Sequence, residues 1–438
     1  MVKNVVCFAF LIAFIICDLI FAQSDFKISG EFRVRSELDG RDFLNKTYPQ
    51  SFTALRVRLN FEKAINEHVM FFAQIQDSRV FGEERNTLKD LKNIDLHQGF
   101  LKVKNIFDTP FFMTLGRFTL EYGGFKIFGP NSWHNVGRSH DGFIIGYNTQ
   151  KYKTDFFITT HSNFLSYRAG AAKIYENYDY NEAPADTGFN IFGFYSTNKL
   201  SPYFNSELYS FYEWNRLRPN GKDMQLGRYT LGTAFEIAPS SSPFNLRFEF
   251  TYQGGKIFIS ELKEISAFLI LVNLQYKTKS LVASLNADIN SGGDPKKTEK
   301  YKLFDNPYST KHNYQGFMDF FTALSDKKFS TGIYGLNDYF IRVIYTPWNY
   351  FNFQFDGHYF TTFVPFENSK GEKIHKYGPE LNLLLRYKLY EVIEFEWGLG
   401  LYFAQEAMKE LYNQLPQRAG VDKFDPAFWT YVQINVKI

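Results

Sequence analysis

Cysteine is almost absent from this chain: of 438 residues only Cys7 and Cys17 carry a thiol, and both lie within the first 22. Past that point there is no disulfide, no thiolate nucleophile and no Cys-ligated zinc. Long apolar runs are equally scarce. The run from Val5 to Ile16, behind Lys3 and ahead of the small residue Ala22, is too short for a bilayer span and has the order of a secretion signal. Residues 1–22 are therefore expected to be cleaved, and because Ile16 rather than a small residue precedes Cys17, a lipid anchor is not expected. The rest of the chain offers no stretch of about 18 consecutive apolar residues, which excludes a helical membrane protein. An excess of one charge is also missing. With 49 basic and 46 acidic side chains the formal net charge is +3, too small to argue for nucleic acid.

Catalytic spacing is lacking as well. The eight histidines form no His-Glu-x-x-His, and neither a Gly-x-Ser-x-Gly elbow nor a phosphate loop occurs. Ser139, His140 and Asp141 are adjacent in sequence, so in extended chain they alternate faces and do not converge on one reacting atom. Ser291 to Asp294 has oxygens for a cation, but a glycine-rich loop tip accounts for it. No enzyme, cofactor or metal is expected.

What is abundant is aromatic side chain, 19% of the residues, at a mean hydropathy of only −0.30. Alternation reconciles the two. Phe26, Ile28, Phe32 and Val34 oppose Lys27, Ser29, Glu31, Arg33, Arg35 and Glu37; Leu55, Val57, Leu59 and Phe61 oppose Arg56, Arg58, Asn60 and Glu62. Only a strand places successive side chains on opposite faces. Comparable segments start near residues 26, 53, 68, 94, 111, 141, 152, 189, 204, 226, 244, 265, 280, 337, 350, 377, 392 and 427. Short links such as Ala64 to Glu67, Gln150 to Lys151, Thr278 to Lys279 and Trp348 to Asn349 alternate with long ones such as Thr119 to His140, Asn163 to Gly188, Ser291 to Leu336 and Ala404 to Ala427. That parity belongs to barrels with short periplasmic turns and long outside loops. The expected fold is all-β: a transmembrane antiparallel β-barrel of about 18 strands, residues 23–438 forming one domain in the outer membrane of a diderm bacterium, as a monomer. Tyr345, Trp348, Tyr350, Tyr359 and Phe360 are expected in an interfacial girdle. The final Ile438 departs from the aromatic residue that usually closes such barrels.

Gly116-Arg117, Glu121-Tyr122-Gly123, Gly129, Trp133-His134-Asn135, Gly137-Arg138 and Asp141-Gly142 resemble the alginate-export family of outer-membrane barrels. A second block, with Asp288, Ser291-Gly292-Gly293-Asp294, Phe304-Asp305, His312, Gly316, Asp319 and Gly335-Leu336, follows in that family's order. The resemblance implies an 18-stranded monomer whose arginine-rich constriction passes an anionic uronate polymer, with secretion partners in the periplasm.

The polar face of each strand should line the lumen. On the clean segments it carries Lys27, Arg33, Arg35, Arg56, Arg58, Arg228, Arg247, Arg342, Arg386 and Lys388 against Glu31, Glu37, Glu62, Glu236, Glu249, Asp288, Asp356, Glu380, Glu394 and Glu396. The balance is even, so a uniformly positive pore is not indicated. Arg33, Arg35, Arg56 and Arg58 should nonetheless cluster on adjacent strands, where like charges repel unless something anionic joins them. Two readings stand: ion-pair ladders with Glu31, Glu37 and Glu62, or forks for the carboxylates of a passing ligand. Arg228, Arg247, Arg342 and Arg386 are secondary candidates. Arg117 and Arg138 join from the family-like block, and Arg138 could equally brace its loop against Asp141. The expected function is an outer-membrane channel for anionic solutes, foremost export of an alginate-like polysaccharide; the alternative is a general diffusion porin for small anions or sugars. Ser291 to Leu336 is too long to be an idle connector and is expected to fold over or into the mouth. Phe248 and Phe353 should face lipid, while Thr251 should tolerate arginine.

Overall fold

A computed structural model describes residues 26–43, 48–83, 93–162, 188–218, 222–294, 299–321, 333–413 and 424–438; the expected signal, 1–22, lies outside them. Eighteen antiparallel strands form one closed sheet: β1 (Phe26–Gly40), β2 (Gln50–Ala64), β3 (Val69–Val80), β4 (Ile94–Val103), β5 (Phe111–Phe118), β6 (His140–Asn148), β7 (Tyr152–Ser162), β8 (Phe189–Ser201) and β9 (Phe204–Asn215) make the first half. The second half is β10 (Leu226–Ile237), β11 (Phe244–Phe258), β12 (Leu262–Lys277), β13 (Leu281–Asn290), β14 (Leu336–Trp348), β15 (Phe351–Glu367), β16 (Lys373–Leu389), β17 (Ile393–Tyr402) and β18 (Ala427–Lys437). Each strand pairs with its sequence neighbour, and β1 closes on β18 with Glu31 opposite Lys437 and Gly40 opposite Phe428. Closure leaves no unpaired edge, the condition for strands in a bilayer. The parity of links holds: those after even-numbered strands are short, and the long ones follow odd-numbered strands.

Alternation decides which face each residue takes. On β1 Ile28 and Phe32 are exposed to the outside, while Arg33, Arg35 and Glu37 are buried within. Phe248 and Phe250 face out on β11, and Glu249 and Thr251 face in. Two expectations change. Thr251 is fully buried and shares a 2.5 Å hydrogen bond with the Tyr209 hydroxyl, so it has no room for arginine. Phe360 is also fully buried: it shares the inward phase of β15 with Gln354, Asp356 and His358 and packs with Phe321 and Tyr377, unlike the exposed Tyr345, Trp348, Tyr350 and Tyr359.

The lumen is filled rather than open. The β5–β6 connection, through Leu120, Tyr122, Ile127 and Phe128, packs inside on Phe157, Ile191, Tyr195, Tyr209 and Phe211. Within the β13–β14 connection, segment 299–321 packs Phe304 on the inner face of β12 and sets Phe317, Met318, Phe320 and Phe321 against Phe360, Tyr377, Tyr402 and Trp429. An α-helix, α1 (Glu406–Asn413) in the β17–β18 connection, adds Ala407, Met408, Leu411 and Tyr412 to that cluster. The strand β12 is apolar on both faces for this reason. Ile265, Ala267, Leu269 and Leu271 are buried inside, where a water-filled porin would carry polar groups.

Candidate functional site

The two family-like blocks meet each other inside the barrel and form a single plug. Gly129 N–H donates to the Tyr308 carbonyl at 2.9 Å, and Asn131 N–H to Thr310 Oγ1 at 3.0 Å. Trp133 stacks on His312 with ring centroids 4.1 Å apart. A Cβ on Gly129 would lie 2.2 Å from Thr310 Oγ1, so only glycine lets the two segments approach this closely. Arg138 ties them together, donating to the carbonyls of Gly129, Pro307, Tyr308 and Ser309. It does not brace Asp141; that carboxylate takes Arg117 at 2.7 Å.

The predicted arginines fall into three groups. The first is Arg33, Arg35, Arg56 and Arg58, which the register brings together: Arg33 is opposite Arg56, and Glu31 opposite Arg58. Arg56 is held by Glu31 at 2.5 Å and Arg35 by Glu37 at 2.6 Å. Arg33 and Arg58 have no salt-bridged carboxylate among the described residues; Arg58 takes Gln76 at 2.6 Å. What satisfies the remaining donors is the plug's backbone. Arg33 and Arg56 donate to the Ser132 carbonyl at 2.7 and 3.0 Å, Arg56 also to that of His134 at 3.1 Å, Arg35 to Trp133 at 2.7 Å and Arg58 to Val136 at 3.1 Å. Arg35 also lies 3.8 Å over the Trp133 ring. Gly137, at φ +84°, adopts a conformation that disfavours side chains, and a Cβ there would sit 2.8 Å from Arg58 Nη2.

The second group consists of wall pairs. Arg228 is held by Glu213 at 2.5 Å, Arg247 by Glu207 at 2.8 Å and Glu249 at 3.0 Å, Arg342 by Asp356 at 2.8 Å and Arg386 by Glu396 at 2.5 Å. These are further ion pairs, besides Arg56–Glu31 and Arg35–Glu37; of the acids expected to ladder with the first group, Glu62 pairs instead with Lys27 at 3.6 Å. The third group is Arg117 and Arg138. Arg117 shares the outward phase of β5 with exposed Leu115, away from the inner cluster, and Arg138 belongs to the plug.

Burial sets the charge states inside the plug. It pushes the His134 imidazole below its ordinary range, with Arg35 and Arg33 adding to the effect, and it lowers the pKa of buried Lys311 against the opposing pull of Asp305. On the periplasmic side of the plug a cavity of about 310 Å³ remains, bounded by Arg33, Arg56, Arg386 and Lys437 and by Glu31 and Glu396. The Gln433 and Asn435 side-chain oxygens beside it are buried without a hydrogen-bond partner.

A serine and a histidine do meet: Ser139 Oγ lies 3.1 Å from His97 Nδ1. Arg58 Nη2 sits 3.1 Å from His97 Nε2 and can only donate, so the neutral ring carries its proton on Nδ1 and gives it to Ser139. That polarity is opposite to the one a serine nucleophile needs. Sequence reasoning missed Glu207, Glu213, Asp338 and His358, although alternation was available: Glu207, Tyr209, Phe211 and Glu213 share one face, as do Asp338, Phe340 and Arg342. The plug carbonyls carried no such signal, because any residue supplies one.

Comparison with known proteins agrees with this architecture. The family described as "Alginate export" matches residues 24–422, and the chain belongs to it. No curated protein matches. Among solved structures, Pseudomonas aeruginosa OccK3 (OpdO) superposes with a TM-score of 0.60 at 10% identity, covering 94% of this chain and 96% of that one. Acinetobacter baumannii OccAB1 gives 0.59 at 11% identity, over 95% and 99%. At such identities the likeness concerns the fold alone.

Proposed function

We propose that this outer-membrane channel of the alginate-export family passes an alginate-like acidic polysaccharide, with Arg33, Arg35, Arg56 and Arg58 as successive carboxylate contacts once segment 132–136 has moved off them. One observation supports this reading: four guanidiniums on adjacent strands have two carboxylates, Glu31 and Glu37, and otherwise only neutral acceptors, which are backbone and amide carbonyl oxygens and the His97 ring nitrogen. Those carbonyls stand where anions would bind. A hydrogen bond to a charged acceptor is roughly twice as strong as one to a neutral acceptor, so an arriving carboxylate competes well with the loop. Guanidinium remains charged at any relevant pH and its fork suits carboxylate. Glu31 and Glu37 weaken each site, which lets a chain advance instead of being trapped.

A second reading, a porin for small anionic solutes or sugars, is favoured by the cavity of about 310 Å³, which is of a size for a single sugar acid. Bilayer recordings separate the two. Replacing Arg33 and Arg58 by Ser should move the reversal potential toward cations and relieve block by acidic oligosaccharides, more strongly at low salt. Unchanged selectivity, or a native channel that already prefers cations, sinks the arginine route. Passage of monomeric uronate with no block by long oligomers selects the small-solute porin.

A further inference from the structure

The outer surface of the barrel is uneven in a way that concerns the membrane rather than the pore. On β14 four consecutive outward residues, Tyr339, Ile341, Val343 and Tyr345, are apolar or aromatic. On β16 the outward run is Pro379, Leu381, Leu383, Leu385 and Tyr387. On β7 the outward set has only Phe156 and Ile158 between Thr154 and Thr160, and on β8 only Phe192 and Phe194 between Asn190 and Ser196. The phase is fixed by the inner residues of the same strands: Phe157, Thr159, Ile191 and Tyr195 are buried.

Six residues of strand rise about 20 Å, or about 15 Å along the membrane normal at a tilt of about 40°. That separation includes both polar ends, whereas an ordinary outer-membrane belt is about 25 Å tall. Such mismatch is met by thinning of the bilayer or by a protein partner covering the polar groups. The hydrogen bonds decide between them. Thr154 and Ser196 hydroxyls pair at 2.9 Å, Ser196 donates to Asn198 at 3.1 Å, Asn190 donates to Thr160 at 2.9 Å, and Arg216 to Asn190 at 2.8 Å. On the adjoining strands Arg117 and Asp141 pair in the same register row as Thr160 and Asn190. Apart from Arg117 Nε, these groups pair with one another along the barrel surface, as a polar rim at a headgroup boundary does without a specific protein partner.

We propose that β7 and β8 form a thin side of the barrel, against which the bilayer narrows so that lipid headgroups reach Thr160 and Asn190 from one leaflet and Thr154, which covers the buried Ser196 hydroxyl, from the other. The partner is the lipid surface itself, drawn in by about 10 Å in total relative to an ordinary belt.

The test compares two pairs of sites with equal spacing along their strands. Cys7 and Cys17 are replaced by Ser, and single cysteines are introduced by Thr154→Cys, Thr160→Cys, Tyr339→Cys and Tyr345→Cys. Each carries a nitroxide in the full chain reconstituted in liposomes, and collision rates with oxygen and with a water-soluble nickel chelate are recorded. Residues 154 and 160 should both favour nickel, as headgroup positions do, while 339 and 345 favour oxygen. Oxygen-dominated collisions at 154 and 160 would show an ordinary belt, and shielding from both reagents would show a protein partner; either overturns the proposal. Asn190→Cys repeats the measurement on β8 should a β7 variant fail to assemble.

Discussion

On β1 and β2 the plug is held through its backbone, four guanidiniums meeting the carbonyls of residues 132–136. On β13 to β16 two of the four buried wall acids already have cationic or imidazole partners in the wall: Asp356 has Arg342 at 2.8 Å, and Asp338 has His358 at 2.9 Å. There the plug adds Lys126, 3.5 Å from Asp288, the Met318 N–H, 3.0 Å from Glu380, and the Asn313 carbonyl, 2.7 Å from Arg342. The difference lies in what remains when the plug leaves. The wall pairs at Asp356 and Asp338 survive its departure. Arg33 and Arg56, directly opposite each other and 4% and 3% exposed, would be left as adjacent like charges with Glu31 between them. The basic wall therefore depends on an occupant, plug or anion, and the acidic wall depends much less on one.

The contrast first requires that both walls face inward, and breaking the inside–outside partition should give the largest effect. Phe353→Arg places a charge on the lipid face of β15, at a cost of up to about 2 to 4 kcal/mol near mid-bilayer. Asn245→Arg puts the same charge on the inner face of β11, where Asn245 is half-buried near Gln275, and should cost far less. Folded fraction across a denaturant series in liposomes reads both; equal losses would remove the partition and with it both walls.

Removing the occupant sharpens the contrast. Deletion of residues 299–320 takes away His312, on which Trp133 stacks, and the carbonyls of 307–309 that hold Arg138. Single-channel conductance should rise several-fold and anion preference should grow, because the guanidiniums are uncovered while Asp356 and Asp338 stay paired. Unchanged conductance would mean that the 119–139 connection closes the lumen alone. Greater cation preference would mean that the acidic wall was the one being covered.

The fold was open to sequence reasoning because a barrel strand is specified locally: a two-residue period reads its face, and link lengths read its direction. Phe26 to Glu37 shows this, with all ten side chains of its two faces on the expected sides. The site was open only in part. The registry of Arg33 against Arg56 follows from strand order, yet their shared partner, the Ser132 carbonyl, is 99 and 76 residues away, contributed by a connection whose path no periodicity encodes. One clue existed. Ala267 to Val272 is apolar on both faces, which in a barrel signals that something covers the inner one, and Phe304 does.

The smallest effect concerns acid and the hold of the basic wall on its occupant. His134 sits beside Arg33, Arg35 and Arg56, and its imidazole is held below the ordinary range, chiefly by burial and then by those guanidiniums. With the plug docked the ring is neutral; with the plug released it takes up a proton near the ordinary value of about 6.5. The released state thus binds more protons, and docking weakens as pH falls through that value, levelling off only below the lowered one. Channel openings should be more frequent at pH 5 than at pH 7.5. His134→Gln keeps the backbone carbonyl that Arg33 and Arg56 share and removes the titrating ring, so its openings should depend less on pH across that range. If the variant keeps the full native response, the acid sensitivity lies across the lumen, at Asp288 and Glu380 where the plug touches the acidic wall, and that wall would be the one that governs release.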